Sequence, residues 1–189
     1  NASEILSKHG INLSTNFNLL SLSKSIKEFI SYHTDSKEYS AFASQALIRT
    51  VSEWSRKNEI QQKIVFGSNE NSFDEWKSAS SGKGFCELSR LFFANFTENY
   101  LKYFLEREAS AKINNLFDRD TFNKKLESHL SQISKHAFET AKITQSYSAG
   151  WYNKNVEDSI PSNEKISGFI SYGFGKINSE LIREQDFER

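Results

Sequence analysis

Phe85-Cys86-Glu87-Leu88-Ser89-Arg90-Leu91-Phe92-Phe93-Ala94-Asn95-Phe96-Thr97-Glu98-Asn99-Tyr100-Leu101-Lys102-Tyr103-Phe104-Leu105-Glu106-Arg107 is the stretch that decides the fold. Its apolar residues recur three and four apart, the period of an α-helix, but they cover more than one stripe. A helix that is apolar most of the way round has to be surrounded by other elements. The stretch therefore predicts the central post of an all-α bundle.

Outward from this post, helical patterns follow one another and no strand pattern intervenes. Toward the N-terminus, Leu19, Leu22, Ile26, Phe29 and Ile30 mark one helix, with Asn16 or Asn18 as its cap. Asp35-Ser36-Lys37-Glu38 reads as a capping box. It opens a helix whose face carries Tyr39, Phe42, Ala43, Ala46, Leu47, Val51 and Trp54. A shorter helix through Ile60, Ile64 and Phe66 and a break at Gly67-Ser68-Asn69 come next, then a short helix around Trp76.

Toward the C-terminus, Asp118-Arg119-Asp120 supplies the expected cap of a helix with Phe122, Leu126, Leu130, Ile133, Ala137 and Ala141 as its seam. That helix is expected to run to Ala149, with Gly150 as a left-handed C-terminal cap and a loop from Trp151 to Pro161. A last helix starts near Asn163 and turns Ile166, Phe169, Ile170, Phe174, Ile177 and Leu181 inward. The whole predicts six or seven helices in one domain. Asn1-Ala2 resembles the end of a protease-cleavage scar, so residues 3–189 are the expected domain. The chain contains no methionine. Were methionines omitted from the sequence as written, some of these helical registers would slip by one.

Composition narrows function mainly by exclusion. Lys and Arg number 24 against 24 Asp and Glu, so no net field draws the chain to nucleic acid or anionic lipid. A mean hydropathy of −0.61 and the lack of a long apolar run argue against a membrane span. The single cysteine, Cys86, excludes an internal disulfide, and no signal-peptide pattern opens the chain; both fit a cytoplasmic setting. Abundant Lys, Asn, Ile, Phe and Ser with one Pro suggest an AT-rich bacterial genome.

Motifs that carry chemistry are incomplete throughout. Gly82-Lys83-Gly84, before the central helix, offers backbone amides and a lysine to an anion. Gly84 stands where a nucleotide-binding phosphate loop needs Ser or Thr, so simple anion binding is the most it implies. Gly173-Phe174-Gly175 begins a dinucleotide fingerprint but has Asn178 at the third glycine position. Gly168, Gly173 and Gly175 read better as points of close helix approach or a kink.

His129 and His136 lie two turns apart on one helix face, about 10 Å along the axis, too far for neighbouring ligands of one ion. His136 and Glu139 have ligand spacing in the order His-x-x-Glu without a second pair, so no metal or cofactor is expected. One class of helical RNase needs an Arg a few residues before a His; nine residues separate Arg119 from His129. Cys86 sits where a helix N-terminus could activate a thiol, but Phe85 and Leu88 beside it imply ordinary burial.

The expected role is therefore a non-catalytic scaffold, adaptor or accessory subunit acting through protein contacts or self-association. Trp151 and Tyr152, in a polar loop, are the expected anchors, and the His129 and His136 face is a second contact surface. Nucleic acid is not the expected partner, since Glu53 and Glu59 interrupt the basic patch of Arg49, Arg56 and Lys57. The rival expectation is an enzyme or nuclease with a site assembled from His129, His136, Glu139 and Lys83.

Overall fold

In the computed structural model the described residues are 2–60, 72–140, 145–156 and 160–187. They form eight α-helices and no strand: α1 (Ala2–Lys8), α2 (Leu19–His33), α3 (Lys37–Lys57), α4 (Ser72–Glu75), α5 (Gly82–Lys112), α6 (Leu116–Thr140), α7 (Gln145–Asn155) and α8 (Asn163–Phe187). A 3-10 turn, Lys77–Ser80, joins α4 to α5. The protein is an all-α bundle. The expected helix through Ile64 and Phe66 and the break at Gly67-Ser68-Asn69 lie outside the described residues. The chain gathers into two compact units, residues 1–92 and 93–189, that divide within α5.

In the first unit α2 and α3 pack side by side. Asn18 caps α2 in a reciprocal box with Ser21. Ser36, rather than the expected Asp35, caps α3, its hydroxyl accepting from the Tyr39 amide at 3.4 Å. The α3 stripe of Phe42, Ala46, Thr50 and Trp54 is buried at every fourth position. Trp54 is 1% exposed. Its ring lies 5.4 Å from that of Trp76, and Phe17 meets both Phe73 and Trp76. The Trp54 indole N–H donates to the Glu87 carboxylate at 3.1 Å, which satisfies a polar group that burial would otherwise penalise.

In the second unit Phe93 is the fully buried aromatic of α5, at 0% exposure. Its ring meets Phe169 and Phe174 of α8, at 5.9 and 5.0 Å between centroids. Phe92, Phe96, Tyr100 and Phe104 carry the same helical pattern in the sequence, and burial is what separates Phe93 from them. Those four α5 residues are half-buried. A Cβ on Gly173 would fall 2.3 Å from Phe93 Cζ, so glycine at this point is what admits the ring. Gly168 and Gly175 face open space and do not serve the close approach expected of them.

Asn115 caps α6 three residues earlier than expected of Asp118: its side chain accepts from the Phe117 amide and its carbonyl from that of Arg119. The Arg119 guanidinium reaches back to the carbonyls of Ser110 and Ile113, closing the C-terminal end of α5. Lys102 of α5 ion-pairs with Glu127 of α6 at 2.8 Å, and α6 packs on α8.

Candidate functional site

The segment read as a loop after Gly150 is helical. α7 runs through Gly150, whose φ is not positive, and ends at Asn155, so Trp151 and Tyr152 are helix residues rather than loop anchors. The Asn155 side-chain amide donates to the Trp151 carbonyl at 2.8 Å, tying off the last turn. Adjacent residues of a helix point about 100° apart, so Trp151 and Tyr152 do not act as a pair. Both are half-buried.

Trp151 instead joins a row of rings. It lies 4.7 Å from Phe169, which is stacked on Tyr147 at 5.7 Å and an interplanar angle of 6°. Tyr147 also meets Tyr172 at 4.4 Å, and the Lys176 ammonium sits 5.5 Å from the centre of the Tyr172 ring. Burial, with a smaller effect from Tyr172, raises the Tyr147 hydroxyl above the ordinary tyrosine range. Phe169 is the buried floor of this ridge and Tyr172, 43% exposed, is its crest. Sequence reading missed Tyr147 and Tyr172 as members. The usable signal was helical spacing, Tyr147 with Trp151 on one helix and Phe169 with Tyr172 on the next.

The other expected site residues stand as follows. His129 and His136 are exposed on α6, and the side chain of Glu139 lies outside the described residues. No group of three His, Cys, Asp or Glu among the described residues is arranged to hold a metal. Lys83 is exposed at the second position of α5. The Ser81 hydroxyl accepts from the Gly84 amide at 3.0 Å, so one of the amides proposed for an anion is engaged by the chain itself. A Cβ on Gly84 would lie 2.2 Å from the Ser78 carbonyl oxygen, so this glycine is set by packing against the 3-10 turn. Cys86 is buried, and desolvation raises its thiol above the usual range, the reverse of an activated nucleophile.

A groove of about 260 Å³ runs between α5 and α8, lined by Phe96, Tyr100, Leu101, Phe174, Ile177 and Leu181. It contains neither histidine, and its lining carries no charge. No described helix is long and apolar enough to cross a membrane. Compared with known protein families, curated proteins and solved structures, the chain matches none.

Proposed function

We propose that the chain is a non-catalytic scaffold, adaptor or accessory subunit of a multiprotein system, and that it meets its protein partner, or a second copy of itself, through the α7–α8 ridge. The observation that supports this is the row Tyr147, Trp151 and Tyr172, built on the buried Phe169 and left partly open to solvent. Large, rigid aromatics of this kind supply contact area at low cost in side-chain entropy. The supporting chain is short: a helical stripe on each of two helices, a buried ring that fixes them, and a crest that buries further only when covered.

The test is photo-crosslinking in the cells that make the protein, with a benzophenone amino acid at position 172 and, separately, at Tyr32. Tyr32 is 87% exposed on α2 and serves as the reference for chance encounters. A discrete protein adduct from position 172 and not from position 32 is the expected result. No adduct from 172, or the same adducts from both, overturns the reading. Light scattering on the purified chain separates a second copy from a different partner.

A further inference from the structure

We draw no further inference here: the strongest candidate, the uncharged groove between α5 and α8 walled by Phe96, Tyr100, Phe174 and Ile177, is an apolar face, and nothing in the structure shows what covers it.

Discussion

Trp54 and Trp151 occupy helices in different units and have opposite fates. Trp54 belongs to a stripe repeated at every fourth residue of α3, and its ring and N–H are both accounted for inside the first unit. Trp151 sits on an eleven-residue helix, and its ring lies against Phe169 while the residue stays half-buried. The contrast shows that an aromatic is committed to the core by the company on its helix face, not by its own hydrophobicity. A ring without that company ends as a ridge.

The comparison breaks most severely at Trp54. Trp54→Ala removes a fully buried ring and takes the indole donor from Glu87, and is expected to cost about 3–5 kcal/mol by denaturant unfolding. A loss below 1 kcal/mol would show that the first unit is not organised around this ring. Gly173→Ala comes next, at about 1–3 kcal/mol, because the new methyl drives against Phe93 and outweighs the gain in helix propensity. Trp151→Ala should cost less than Trp54→Ala, about 1–2 kcal/mol, since part of its surface already faces water. Equal losses at the two tryptophans would erase the distinction between core and ridge. Gly175→Ala should have the opposite sign, stabilising by about 0.5–1 kcal/mol, since nothing stands near its Cβ position. The smallest change is Tyr172→Ala, within about 0.5 kcal/mol in unfolding, which is what makes it a clean probe of binding.

The helices were legible where a stripe and a cap coincided. α2 with Asn18 shows why: period and punctuation point to the same boundary. Caps slipped where several candidates crowd together. Asp35 and Ser36 are both good acceptors, as are Asn115 and Asp118, and only the backbone decides which carbonyl starts the ladder. The aromatic excess of α5 gave the class of fold but hid the inward direction. With apolar residues most of the way round, nothing in the sequence marks Phe93 above Phe96.

The ridge was half legible. Trp151 was visible as an aromatic outside the long helical patterns, but Gly150 drew the helix end six residues too early. Glycine inside a helix costs about 1 kcal/mol relative to Ala, a penalty that packing of Tyr147 and Trp151 on Phe169 offsets. Lys83 and the glycines beside it drew attention for their chemistry, whereas Gly84 is placed by a steric need that no local motif announces.

The contact between Gly173 and Phe93 has a historical consequence. The two positions share one volume, so what is tolerated at 173 depends on the side chain at 93. A lineage that acquires a methyl at 173 survives best if the ring at 93 has already been exchanged for something smaller. The reverse order passes through a strained intermediate. Substitutions here are contingent on sequence of arrival, and Gly173→Ala should be tolerated in a Phe93→Leu background better than in the parent.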